Sequence, residues 1–184
     1  ISSNSVSKLL SLTNNRVAVG TYEGGLNLFN TETQTFTATT SILESNGQEL
    51  GLYIIDMAID ENENLLLVTA DSGLLSYDIR SGELTQPLSQ NTYLTEQFGT
   101  ELFSVLNTAD YLWLSGSSGI VKIKKATLNS NDIEFEHISS HHNLSSNFVY
   151  GMLQHKDHIW ISHAKGISRI NAETLQVINF EQGH

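Results

Sequence analysis

The chain has 184 residues, 39% of them hydrophobic, enough for one globular unit with a sizeable core or for part of a larger one. With 9 Lys and Arg, a formal net charge of −11 and no Cys, it offers no basic surface for nucleic acid and no thiol chemistry, disulfide or zinc-thiolate site. No apolar run approaches the ~18 residues of a membrane span.

The first residues, ISSNSVSKLL, lack the charged start and apolar core of a signal peptide. Ile1 is not an initiator, so the expectation is an excised piece of a longer protein. From there the chain repeats itself. The segments RVAVGTYEGGLNLFN (16 to 30), LLLVTADSGLLSYD (65 to 78), YLWLSGSSGIVKIK (111 to 124) and HIWISHAKGISRIN (158 to 171) share one pattern. Each is an apolar strand, a small-residue turn, a Gly and a second strand. The glycines, Gly25, Gly73, Gly119 and Gly166, are 48, 46 and 47 residues apart. A period in the forties with several strands per copy reads as propeller blades.

Each copy is expected to open on an inner strand: Val6 to Leu10, Met57 to Ile59, Leu102 to Leu106 and Val149 to Leu153. Polar turns such as DENEN (60 to 64) and HKDH (155 to 158) follow. The Gly-led pair gives strands two and three. A less apolar strand closes each copy: Thr35 to Thr39, Glu83 to Leu88, Glu134 to Ile138 and Gln176 to Phe180. Polar outer strands form the rim and do not recruit neighbours. Pro87, the lone proline, falls in one of them, where a missing donor is tolerable. The second strands are continuous apolar runs, which means burial on both faces. Stacked blades provide it.

The expected fold is therefore all-β, with four four-stranded antiparallel blades at about 1–40, 51–89, 94–139 and 144–181. Four wide blades are few for a closed ring, so a partial propeller is expected. Trp113 and Trp160 occupy equivalent places, filled by Ala18 and Leu67 in the other copies, and read as core. The four glycines read as turn glycines. GTYEGG is no phosphate loop, because it lacks the Lys-Ser/Thr ending and a following helix.

All seven histidines lie at or after residue 137. In the blade scheme His141, His142, His155, His158 and His163 fall in separate turns and connections, so they read as exposed turn residues, not zinc ligands. DENEN begins like a calcium loop, but Leu65 stands where Gly is needed and Asp71 where a bidentate Glu is needed. Glu61 and Glu63 share one turn rather than a cleft, and no nucleophile, base and acid can be assigned. No catalytic, metal or cofactor site is expected. A ligand would meet the turns between strands two and three, at Tyr22, Glu23, Asp71, Ser72, Ser117, Ser118, His163 and Lys165. Connections carrying Tyr53, Tyr93, Phe98 and Asn143 would stand beside them. Such aromatic and polar side chains suit sugars.

The texts SSNSV…VAVGTYEGGLNLFNTETQTF and NLSSNFVYGML…IWISHAKGISRINAETLQVINF resemble the two-component regulator propeller repeat: a Ser-Asn start, an inner strand, a Gly pair and a strand ending in Asp or Asn. The middle copies keep LLLVTADSGLLSYD and YLWLSGSSGIVKIK but lose the Ser-Asn start. The resemblance leaves the connections at 41 to 53 and 89 to 100 unmatched. It implies the periplasmic sensor region of a membrane-anchored bacterial signalling receptor, with any histidine kinase or diguanylate cyclase machinery outside these residues. It also implies an oligosaccharide or other small ligand. The alternative is a protein-binding scaffold with no small ligand. Family propellers close with more blades than four. An open arc exposes apolar blade faces, so self-association is expected, as when two arcs complete one ring of eight blades.

Overall fold

A computed structural model describes residues 1–39, 41–43, 49–89, 91–98, 101–128, 130 and 132–180. The backbone forms four antiparallel sheets, each of four consecutive strands. Sheet 1 holds β1 (Val6–Ser11), β2 (Arg16–Thr21), β3 (Leu26–Asn30) and β4 (Thr35–Thr39). β5 (Ser41–Leu43) and β6 (Glu49–Gly51) pair as a small hairpin in the 41–53 connection. Sheet 2 holds β7 (Ile54–Ile59), β8 (Leu65–Thr69), β9 (Gly73–Tyr77) and β10 (Leu84–Thr85). A π-helical turn, Leu94–Phe98, precedes sheet 3, which holds β11 (Leu102–Asn107), β12 (Tyr111–Gly116), β13 (Gly119–Lys124) and β14 (Phe135–Ile138). Sheet 4 holds β15 (Val149–His155), β16 (His158–His163), β17 (Gly166–Asn171) and β18 (Val177–Phe180). The middle of the 41–53 connection and the end of the 89–100 connection lie outside the described residues.

The chain divides into two compact units, Ile1–Thr85 and Gln86–His184. In the first unit, Leu10, Ala18, Leu26 and Leu28 of sheet 1 pack on Ile54, Met57, Leu65, Leu67, Leu75 and Tyr77 of sheet 2. In the second unit, Leu106, Trp113, Ile120 and Ile138 of sheet 3 pack on Val149, Ile159, Ile161, Ile170 and Val177 of sheet 4. Successive strand residues point to opposite faces. Sheets 1 and 3 therefore bury what is called here the front, and sheets 2 and 4 bury the back. Each fully buried aliphatic side chain contributes about 1.5–3 kcal/mol.

The two-sided burial expected of the second strands holds for β8, which is buried at every position, and for β12 from Leu112 to Gly116. It does not hold for β16, where only alternate residues are buried. Trp113 is accordingly core, 1% exposed, whereas Trp160 is only half-buried, stacked on Phe180.

The registers correct one equivalence. Leu10↔Ala18, Ala58↔Leu66, Leu106↔Trp113 and Leu153↔Trp160 are matching pairs, each four residues into its first strand. Leu66, not Leu67, therefore occupies the place of Ala18, Trp113 and Trp160. The cause is loop length. Thr69 pairs with Gly73 across three residues, but Gly116 pairs with Gly119, and His163 with Gly166, across two.

Pro87 lies outside any strand, because β10 ends at Thr85. A proline cannot donate to the ladder, and it holds the preceding residue to a narrow backbone range. The Asp or Asn that ends the third strand has a visible task. Asn30 Oδ1 accepts from the amides of Glu32 and Thr33, Asp78 Oδ1 from Arg80 and Ser81, and Asn171 Oδ1 from Glu173 and Thr174. Each is a side-chain-capped turn. The two amides donated to Asp78, with Arg80 the stronger, hold its carboxyl below the ordinary value.

Candidate functional site

The turns between second and third strands are built from beneath. In sheet 1, Thr21 Oγ1 donates to the Gly25 carbonyl (2.9 Å) and accepts from the Gly24 amide (2.9 Å). In sheet 2, Thr69 Oγ1 donates to the Gly73 carbonyl (3.0 Å) and accepts from the Ser72 amide (3.1 Å). Both threonines are buried, and Tyr22, Glu23 and Asp71 are left exposed above them. The connection between the sheets joins the two turns. The Gly25 amide donates to Leu52 O (3.1 Å) and the Ala70 amide to Tyr53 O (3.0 Å). Tyr22, Glu23, Asp71 and Ser72 thus share one rim of the first unit, with Tyr53 beside them.

The second unit repeats the arrangement. The Gly119 amide donates to Asn147 O (2.8 Å) and the Ala164 amide to Phe148 O (3.3 Å). Ser117, Ser118, His163 and Lys165 share this rim. Gly119 has φ +105°, and a Cβ there would run into the Ile138 carbonyl. The Ser-Asn start also recurs as structure. Ser3 Oγ accepts from the Ser5 amide as Ser146 Oγ accepts from the Phe148 amide, both at 3.2 Å.

His163 corrects the reading of the histidines as exposed. It is 5% exposed and stands where Thr21 and Thr69 stand in the first unit. Its Nδ1 accepts from the Lys165 amide (3.2 Å), so the proton sits on Nε2, which donates to Ser168 Oγ (2.7 Å). Ser168 donates to Asn179 Oδ1 (2.6 Å), and Asn179 Nδ2 donates to Asn143 O (2.8 Å). The turn is thereby tied through the sheet to the connection before it. Lys165 is exposed.

Two of the connection aromatics are also structural. His137 Nε2 donates to Ser118 O (2.7 Å), and its Nδ1 accepts from the Tyr93 hydroxyl (3.3 Å). Tyr93 stacks on Phe135, and Phe98, 4% exposed, meets His137 edge-on. Phe98 offers no face to a ligand.

Of the other histidines, His158 lies 2.8 Å from Asp157 and His142 Nδ1 accepts from the Ser139 amide. Among the described residues no three His, Asp or Glu side chains are placed to hold a metal ion. In DENEN, the Asp60 carboxylate accepts from the Asn62 and Asn64 amides (2.8 Å each), which makes it a turn cap.

Sequence reasoning missed an aromatic pair. Each first strand carries a bulge at its second residue: Ser7, Ile55, Phe103 and Tyr150. Bulges re-aim side chains. In the second unit both are aromatic, with ring centroids 6.0 Å apart. Tyr150 is 55% exposed and the neighbouring Phe148 51%. The signal was available only by aligning the first strands on Leu106 and Leu153. Also missed was Lys122, a buried lysine paired with Glu136 (2.9 Å) and lying 4.1 Å over the Tyr111 ring.

No family model matches the chain, and no curated protein matches it in sequence. Solved structures do match it. One is the extracellular domain of the putative hybrid two-component system BT3049 from B. thetaiotaomicron, at TM-score 0.79 and 20% identity, covering 99% of this chain and 24% of that one. Another is the β-propeller domain of Cps50 (Swd1) from Myceliophteria thermophila, at TM-score 0.64 and 12% identity, covering 97% of this chain and 56% of that one. The four sheets are β-propeller blades. A further match is the extracellular domain of the putative hybrid two-component system BT4673 from B. thetaiotaomicron, at TM-score 0.69 and 19% identity, covering 97% of this chain and 23% of that one. This chain spans about a quarter of the length of these two extracellular domains. They are the class of protein that the repeat pattern implied.

Proposed function

We propose that these blades are a stretch of the extracytoplasmic, periplasmic sensor propeller of a membrane-anchored bacterial signalling receptor, and that they bind a ligand without catalysing a reaction. The observation that carries the reading is the likeness of fold, at TM-score 0.79 over 99% of the chain, to the extracellular domain of a putative hybrid two-component system. The Ser-Asn, Gly and Asp/Asn pattern of the repeats supports it independently.

The ligand class that fits is an oligosaccharide. Tyr150, Phe103 and Phe148 present aromatic faces for the apolar side of a sugar ring, and Ser117, Ser118 and Lys165 supply polar partners on the same unit. Tyr22, Glu23, Asp71 and Ser72 give the first unit a similar rim. His163 acts from below, by holding the turn that carries Lys165.

The test is a titration of the 184-residue chain with a panel of neutral and acidic oligosaccharides by calorimetry and NMR. Binding that Tyr150→Ala weakens tenfold or more is the expected result. If no sugar at millimolar concentration perturbs Tyr22, Phe148 or Tyr150, the sugar reading is wrong and the protein-scaffold reading replaces it.

A further inference from the structure

The front of blade 4 is, position for position, the front of blade 3. Leu106, Trp113, Ile120, Lys122 and Ile138 become Leu153, Trp160, Ile167, Arg169 and Phe180 under the strand registers. On blade 3 these positions lie beneath blade 4. Trp113, Ile120 and Ile138 are at most 1% exposed, and Lys122 is 5% exposed. On blade 4 the same positions are open: Leu153 is 56%, Ile167 45% and Phe180 42% exposed. Leu153, Ile167 and Trp160 line an apolar groove of about 580 Å³.

The back of blade 1 is the converse. Val149, Met152, Ile159, Ile170 and Val177 of blade 4 pack on blade 3. Their equivalents in blade 1 are Val6, Leu9, Val17, Phe29 and Phe36, all apolar. Of these, Leu9 is 62% exposed and Val6 and Phe36 are 43% exposed. The chain thus carries one open front and one open back of the kind that blades 3 and 4 bury against each other.

Charge follows the same register. Glu173 of blade 4 borders the cavity that holds Lys122 and Trp113 of blade 3. Its equivalent in blade 1 is Glu32, since each is the second residue after the Asn that caps its turn. The equivalent of Lys122 is Arg169, which lies over Trp160. Lys122 pairs with Glu136 across its own sheet, but Arg169 has Ile178 there. Arg169 Nε is buried with no hydrogen-bond partner among the described residues.

We propose that the front of blade 4 is a docking surface for the back of blade 1 of a second copy of this chain, with Glu32 of one copy meeting Arg169 of the other. The contact is heterologous, head to tail, so it closes a ring or extends a chain of copies. It does not depend on the ligand reading.

The experiment is sedimentation equilibrium of the 184-residue chain from 1 to 200 μM. The expected result is an average mass rising above the 20.3 kDa monomer. Ile167→Glu and Leu9→Glu alter exposed positions on the two faces, and circular dichroism checks their folding. Each alone should weaken association at least tenfold. Mixed together, they should associate more strongly than either does by itself, because each supplies the face the other lacks. Arg169→Glu should weaken association, and Arg169→Glu with Glu32→Arg should restore it. A wild type that stays at the monomer mass at 200 μM overturns the proposal and leaves a further blade of a longer chain as the occupant. Undiminished association of Ile167→Glu, or a charge swap no better than Arg169→Glu alone, overturns it too.

Discussion

Trp113 and Trp160 occupy the same place in consecutive blades, and their replacement by Ala should have unequal effects. A buried Trp removes about 150–250 Å² from water, which at about 25 cal/mol per Å² is roughly 4–6 kcal/mol of gross burial. Trp113 is 1% exposed, between blades 3 and 4. Trp113→Ala forfeits most of that burial and leaves a cavity, a loss of about 3–5 kcal/mol. Trp160 is half-buried and keeps a ring stack on Phe180, centroids 5.6 Å apart. Trp160→Ala removes about half as much buried surface and leaves no closed cavity, so it should lose about half as much, roughly 1.5–2.5 kcal/mol. Urea unfolding at 0.2 μM measures both, because the two Trp both lie in the second unit and each variant keeps one as a fluorescent reporter. With m of about 1.5 kcal/mol/M, Trp113→Ala should move the midpoint by about 2–3 M and Trp160→Ala by about 1–1.7 M. Equal shifts at this dilution would mean that the blade 4 front is covered in the isolated chain, and the exposure argument would be wrong. At 100 μM the gap should narrow if the proposed docking of a second copy covers Trp160.

Two further substitutions follow from the turns. Gly119→Ala places a Cβ against the Ile138 carbonyl at φ +105°, and should lower stability by about 1–3 kcal/mol. Gly82→Ala, at φ +75° with only the Tyr77 hydroxyl within 3.9 Å, should cost about 1 kcal/mol. Thermal unfolding that ranks them the other way would refute the close-approach argument. Asp78 accepts from the Arg80 and Ser81 amides, and its folded carboxyl titrates below the ordinary 3.8. Its contribution is therefore present above that pH and lost as pH falls through the lowered value. An NMR titration of the Asp78 carboxyl should find its midpoint under 3.8, and Asp78→Asn should keep the turn, as Asn30 and Asn171 do, without the acid dependence. A midpoint at or above 3.8 would sink this reading.

The repeat was legible because blade stacking imposes a period on apolar strands and on one turn glycine. The glycine alone did not fix the register. A three-residue loop in blade 2 and two-residue loops in blades 3 and 4 hide a one-residue difference, so equal Gly spacing pointed to Leu67 where pairing selects Leu66. In a strand, one residue changes the face, and Leu66 and Leu67 face opposite ways. The bulges at Phe103 and Tyr150 escaped notice for a related reason. A bulge inserts one residue on one strand, and composition records neither its position nor its direction. His163 was read from its place in a turn, but it is hydrogen-bonded to Ser168, which bonds in turn to Asn179, and these two lie on two other strands. Trp160 is the instructive case. Its residue type and position are those of Trp113, and sequence assigns both to the core. The difference is the absence of a described blade against its face, which no property of Trp160 itself encodes. Intrinsic pattern therefore specifies which face a blade wants covered. Whether it is covered depends on the neighbour, so the difference between Trp113 and Trp160 lies in what stands against each blade and not in the blade's own residues.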